Sequence, residues 1–252
     1  MRRLFAPLCG IALALTAPAT PAAAQVISYE VVEEEVVVDA NNLDSGADRL
    51  VDVASATVPH GIAQFGPFRV LDGTRAALVD VTDARSPAAF ARMLAAYPGI
   101  TELAMIDCPG TLDDNANLRL GRMIHARGMA TVVPKGGSVR SGAVELFLAG
   151  TRRMADKHAE FAVHSWLDDE GKQPGDYAAN DPVNRTYLDY YREMGMSETE
   201  ARAFYDMTNA VPNAQARWMN AAQMGQWVKL EAGQAPGQVQ QVAMLDSGRP
   251  LR

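Results

Sequence analysis

Two residues of this chain have types and an order that fit hydrolytic chemistry: a serine at the mouth of a short apolar helix and a histidine ending a strand. Ser141 lies in Gly136-Gly-Ser-Val-Arg-Ser-Gly-Ala-Val-Glu-Leu-Phe-Leu-Ala-Gly150, and His164 lies in Phe161-Ala-Val-His-Ser165, 23 residues after the serine. Gly142 follows the serine, so the backbone can turn sharply into the helix without a Cβ clash. A hydroxyl held there sits beside free helix N-terminal N–H groups, which can stabilise a developing oxyanion. A histidine folded back onto the hydroxyl would act as general base.

Each residue also has a plainer role. Ser141 fits an ordinary helix N-cap, and Ser138, three residues earlier, would replace it if the register slipped. His164 fits a structural histidine. Glu145 is the odd residue in its apolar helix, one turn after Ser141 and on the same face. It could touch substrate, tune the serine, form an ion pair with Arg140, Arg152 or Arg153, or make a subunit contact. Arg140 could meet a substrate carboxylate or only solvate its loop. His60, His125 and His158 fall at a glycine turn, on a polar helix face and at a hairpin tip. No third ligand stands at metal spacing from His158 and His164, so no metal is expected.

The segment from Leu103 to Trp166 resembles the Clp protease proteolytic subunit of the Clp/crotonase superfamily, and more narrowly the secreted Clp-protease-like proteins of bacteria. The resemblance rests on the order Ile106-Asp-Cys-Pro-Gly110, a helix from Leu112 to Arg127, a strand from Ala130 to Pro134, the Ser141 turn into a helix ending Ala149-Gly150, and a hairpin ending Val163-His164. It implies Ser141 as nucleophile and His164 as base. It also implies an oxyanion site from the Gly142 N–H and the Gly110-Thr111 pair. The family has Gly-Gly at that pair, and glycine is favoured where φ is positive, so Thr111 is a departure. The family's aspartate position, before an Arg-aromatic pair, holds Ala216 here, in Gln215-Ala216-Arg217-Trp218. Asp206 is the nearest acidic substitute for orienting the histidine and Asn213 the amide alternative. The family's subunit assembles into rings. The C-terminal region of this chain departs from it, which leaves homo-oligomerisation open.

The first 24 residues read as a Sec-type secretory signal peptide: Arg2-Arg3, an apolar run from Leu4 to Leu15, and Ala22-Ala-Ala24 before Gln25. The run is too short to span a membrane, and Cys9 sits inside it rather than after it. A mature chain of 228 residues fits one domain. It keeps Cys108 alone, so no intramolecular disulfide forms. Loss of Arg2 and Arg3 takes the net charge from −7 to −9, with no basic cluster to offset it. Nucleic acid is therefore not an expected partner. The expected compartment is periplasmic.

Strand and helix alternate from Ala76 onward. A strand over Ala76 to Val81 precedes a helix with Ser86 as N-cap and Pro87 at its first position. In that helix Phe90, Met93, Leu94 and Tyr97 share a face. A strand from Glu102 to Ile106 precedes a helix with Ala116, Leu120, Met123 and Ile124 inward. Earlier, Ile27 to Val38 reads as a strand, Asp44 to Ala54 as a short helix, and Gly61 to Val70 as a hairpin around Gly66-Pro67. After a polar loop from Asp168 to Asp181, Asp181-Pro182 opens one helix and the capping box Ser197-Glu-Thr-Glu200 another, with a third from Asn220 to Val228.

The expectation is an α/β fold: a Clp/crotonase-like β-β-α spiral over residues 25–231 with a mostly parallel sheet, C-terminal helices, and a mobile tail over 232–252. The expected function is an exported serine hydrolase, a peptidase or an enzyme for small acyl substrates, with no cofactor. The alternative is a non-catalytic binding or scaffold protein on the same fold. Crotonase-type chemistry on a coenzyme A thioester fits the fold but not an exported compartment.

Overall fold

From Glu102 onward the apolar pattern is realised as a repeat of two strands and a helix. The structure, a computed structural model, describes residues 54–231. The signal peptide, the strand expected over residues 27–38, nearly all of the helix expected over 44–54 and the tail from Ala232 lie outside the described residues.

The elements begin with β1 (Ala63–Phe65), β2 (Phe68–Val70) and β3 (Arg75–Leu78), an antiparallel meander that includes the expected hairpin. Then come α1 (Ser86–Ala96), β4 (Glu102–Met105), β5 (Asp107–Cys108), α2 (Asp114–Ala126), β6 (Ala130–Val133), β7 (Ser138–Arg140), α3 (Ala143–Leu148), β8 (Arg152–Ala155) and β9 (Glu160–Val163). Each turn of the spiral sends its first strand to one sheet and its second to another. The six-stranded sheet has the order β1-β2-β3-β4-β6-β8, parallel from β3 to β8. The second sheet holds β5, β7 and β9 in parallel. Expected and observed architectures agree: α/β, mostly parallel, with C-terminal helices.

Two local expectations are corrected. The segment before His164 is not a hairpin, because β8 pairs with β6 and β9 pairs with β7 in different sheets. Ser86 is the first helical residue rather than the N-cap of α1, whose cap position is Arg85. The Ser86 hydroxyl instead accepts from the Asp83 N–H at 2.9 Å and donates to its carboxylate at 3.0 Å.

The C-terminal part follows its capping signals. Asp181 caps α4 (Pro182–Glu193), and Ser197 with Glu200 closes a capping box on α5 (Glu198–Asn209). Arg217 to Asn220 form β10, antiparallel to β9, an element the sequence did not reveal. The helix expected to Val228 shortens to α6 (Ala221–Met224). Half-buried Arg153 donates to the carbonyls of Leu148 at 2.8 Å and Met194 at 2.5 Å, so one cation meets the C-terminal ends of both α3 and α4. Leu103, Met105, Leu146, Phe147, Phe161 and Phe204 are fully buried in one apolar core. No helix among the described residues is long and apolar enough to cross a membrane.

Register brings the site together. Cys108 lies beside Val139, Val139 beside Phe161, and Arg140 beside Ala162. The carboxyl ends of β5, β7 and β9 thus emerge side by side, and they lead directly into Gly110, Ser141 and His164. Adjacent strands lie only about 4.8 Å apart. This is the edge at which open α/β sheets present their ligand sites.

Candidate active site

Ser141 has φ 49°, the one positive value at a non-glycine residue among the described residues. A left-handed serine costs on the order of 1–2 kcal/mol and persists only where its surroundings hold it. Its N–H donates to the Ala162 carbonyl on β9 at 2.9 Å, and its carbonyl accepts from the Val144 N–H at 2.9 Å. The left-handed Ser141, followed by Gly142 at the cap position, turns the chain from β7 into α3 within two residues. Ser138, the rival serine, is buried in β7 and accepts from Arg140 at 2.7 Å.

Two glycines let the neighbouring loop close on the serine. Gly110 has φ 137°, and a Cβ there would stand 3.0 Å from the Ser141 Cβ and 3.4 Å from its hydroxyl. A Cβ on Gly142 would stand 2.5 Å from the Thr111 Cγ2. Thr111 itself is not among the residues of positive φ, so Gly110 carries the unusual conformation and threonine is tolerated beside it. The N–H groups of Thr111 and Gly142 meet no acceptor among the described residues.

Behind these loops stands a pair the sequence reading missed. Buried Asn117 donates to the Gly142 carbonyl at 2.6 Å and accepts from the Thr82 hydroxyl at 2.9 Å. The Thr82 N–H donates to the Gly110 carbonyl at 3.1 Å. Thr82 and Asn117 therefore tie the Gly110 and Gly142 loops to each other. The signal was present: Asn117 lies on the same helix stripe as Leu120 and Ile124, a polar residue on an apolar face.

His164, half-buried at the end of β9, points Nδ1 at the Ser165 carbonyl, 2.9 Å away. The Asn213 amide lies 3.2 Å from the same nitrogen and donates to the same carbonyl at 2.8 Å. The consistent set has Nδ1 protonated and donating to Ser165, which leaves Nε2 as the acceptor a general base requires. Asn213 is held by its own N–H, which donates to Gln173 at 2.8 Å. The expectation of Asp206 as the orienting residue is corrected: Asp206 is exposed on α5, and the polar side chain at the ring is Asn213. Helical periodicity explains the miss. Asp206 follows Tyr205, which faces inward, so its own side chain turns to solvent.

Ser141, His164, Gly142, Thr111, Asn117 and Asn213 line one cavity of about 130 Å³. No hydrogen bond joins the Ser141 hydroxyl to the imidazole in this structure. Glu145 also lines the cavity, 9 % exposed, and accepts from the Tyr191 hydroxyl at 2.8 Å. Burial pushes its carboxyl up to about 7, with nearby Asp114 adding to the rise. The ion pairs considered for Glu145 are not made. Arg140 pairs with Asp107 at 2.9 Å, Arg153 meets carbonyls, and Arg152 is exposed on β8. Cys108 is buried, and desolvation raises its thiol far from reactivity.

No family model and no curated protein matches the sequence. Solved structures similar to the chain include a stomatin-specific protease and ClpP proteases. One is a mutant of the 1510-N membrane-bound stomatin-specific protease in complex with a substrate peptide: 13% identity over 61% of this chain and 73% of that one, TM-score 0.40. Another is a ClpP1 mutant from Listeria monocytogenes, 13% identical over 62% and 88%, TM-score 0.42. A third is the ClpP catalytic domain from Plasmodium falciparum, 14% identical over 60% and 79%, TM-score 0.42. At such identities and TM-scores the likeness assigns no residue and no activity to this chain.

Proposed function

We propose that the protein is an exported serine hydrolase acting on peptides or small acyl substrates. Ser141 attacks the carbonyl and His164 Nε2 takes its proton, then returns it to the leaving group; water, deprotonated by the same Nε2, then breaks the Ser141–acyl ester, and the proton goes back to Ser141. The Thr111 and Gly142 N–H groups receive the oxyanion. Asn213 and the Ser165 carbonyl hold the imidazole, in place of a carboxylate. The observation that carries this reading is the strained φ of Ser141 at a site where a glycine-dependent loop and a histidine converge. A cap alone needs neither a left-handed serine nor unbonded N–H groups across from it.

A fluorophosphonate probe on the full-length protein tests it. Labelling should map to Ser141 and vanish in Ser141→Ala and in His164→Ala. A second reading, a binding protein on the same fold, is favoured by the missing hydrogen bond between Ser141 and His164. It wins if folded protein takes no label and hydrolyses no ester or peptide. Export is tested separately: mass spectrometry of protein from the periplasmic fraction should find Gln25 at the N-terminus, and a chain beginning at Met1 would end that part of the proposal.

A further inference from the structure

We infer that the cavity beside Ser141 receives a positively charged side chain of the substrate, lysine or arginine, adjacent to the bond attacked. This inference rests on the hydrolase reading and names its substrate class.

The lining has the chemistry of a cation site. It carries two carboxylates, Glu145 and Asp114, and no lysine or arginine. Glu145 is nine-tenths buried, yet its only side-chain partner among the described residues is the neutral Tyr191 hydroxyl. A carboxyl so deeply placed is normally paired with a cation. The arginines nearest in sequence are engaged elsewhere, Arg140 with Asp107 and Arg153 with two helix ends. Asp114, at the start of α2, repels Glu145 and so disfavours its ionised form. A guest cation between them would relieve that repulsion.

Part of the remaining wall is aromatic. Trp166 stacks on Tyr187 with ring centroids 6.2 Å apart and planes 2° from parallel, and both line the cavity. Indole and phenol faces attract ammonium and guanidinium groups. At about 130 Å³ the space is close to the ~150 Å³ of cavities that admit a benzene ring, so it suits one side chain. If the Glu145–Tyr191 pair served only to hold α3 on α4, acidic and aromatic groups would have no reason to face an open cavity beside the serine.

The test is calorimetric titration of the full-length Ser141→Ala protein with n-butylguanidinium, n-butanol and butyrate. Saturable binding of the cation alone is expected. Glu145→Gln keeps the Tyr191 hydrogen bond and should weaken it about tenfold or more, the worth of one charged hydrogen bond. Asp114→Asn keeps an acceptor for the Tyr187 hydroxyl that bonds the carboxylate and should weaken cation binding as well. Equal binding of butanol and the cation, or unchanged affinity in both variants, overturns the inference. Cation binding that depends on Glu145 in a protein whose native Ser141 takes no fluorophosphonate would sink the hydrolase reading and keep the charged pocket. Labelling without cation selectivity would do the reverse.

Discussion

The Asn213 amide stands 3.2 Å from the His164 Nδ1 and shares with it the Ser165 carbonyl as acceptor. An amide and a carbonyl thus fix the ring where a carboxylate would otherwise do so. Position and tautomer are set, but the charge that would steady an imidazolium is absent. Ser165 anchors this arrangement by donating from its N–H to Val211 at 2.8 Å and from its hydroxyl to Asn209 and Val211.

Replacing Asn213 with alanine should therefore lower kcat by about 10–100-fold, less than the ~10⁴ lost when a triad carboxylate is replaced by its amide. The Ser165 carbonyl still holds Nδ1–H. Asp206→Ala should leave steady-state turnover of a chromogenic ester unchanged. A large loss in that variant would contradict the assignment.

Ser141→Gly should raise the melting temperature by roughly 2–4 °C while abolishing fluorophosphonate labelling. Relief of the left-handed serine is worth on the order of 1 kcal/mol, which converts to that shift for a domain of this size. Thermal unfolding followed by circular dichroism reads it. A fall in melting temperature would mean the serine conformation is not strained.

Gly142→Ala should destabilise the fold and suppress labelling, because the new Cβ meets the Thr111 Cγ2 at 2.5 Å. Thr111→Ala removes that methyl group and should partly restore stability in the double variant. A coupling of about 0.5–3 kcal/mol in a double-mutant cycle is expected for groups in contact. Strict additivity would show that the two loops do not press on each other.

Glu145 should make stability fall with rising pH. Its carboxyl stands near 7 in the fold against 4.5 ordinarily, so the native state keeps a proton that the unfolded chain has lost. The contribution is fully present below pH 4.5, declines from there to about 7, and is gone above it. The two values imply about 3 kcal/mol across that window. Glu145→Gln should abolish this component, so its melting temperature relative to the native protein rises between pH 5 and pH 8. Parallel curves would place Glu145 in a more solvated setting.

The sequence alone determined the alternation of strands and helices, the helix caps at Asp181 and Ser197, and Ser141, Gly142, Gly110 and His164 as the residues to watch. These are local signals: apolar periodicity, cap chemistry, and glycine where the backbone must turn. What only the tertiary structure decided depends on register between distant segments. The split of successive strands into two sheets is invisible locally, because a short apolar run reads the same in either sheet. Thr82 and Asn117 meet because the segment after β3 bridges in parallel to Thr111, just ahead of α2, not because of any spacing between them. Asn213 rather than Asp206 reaches His164 because the chain after α5 folds back onto Ser165, whereas α5 turns Asp206 to water. Charge and nearness in sequence favoured the aspartate; the direction in which a helix faces its residues selected the asparagine.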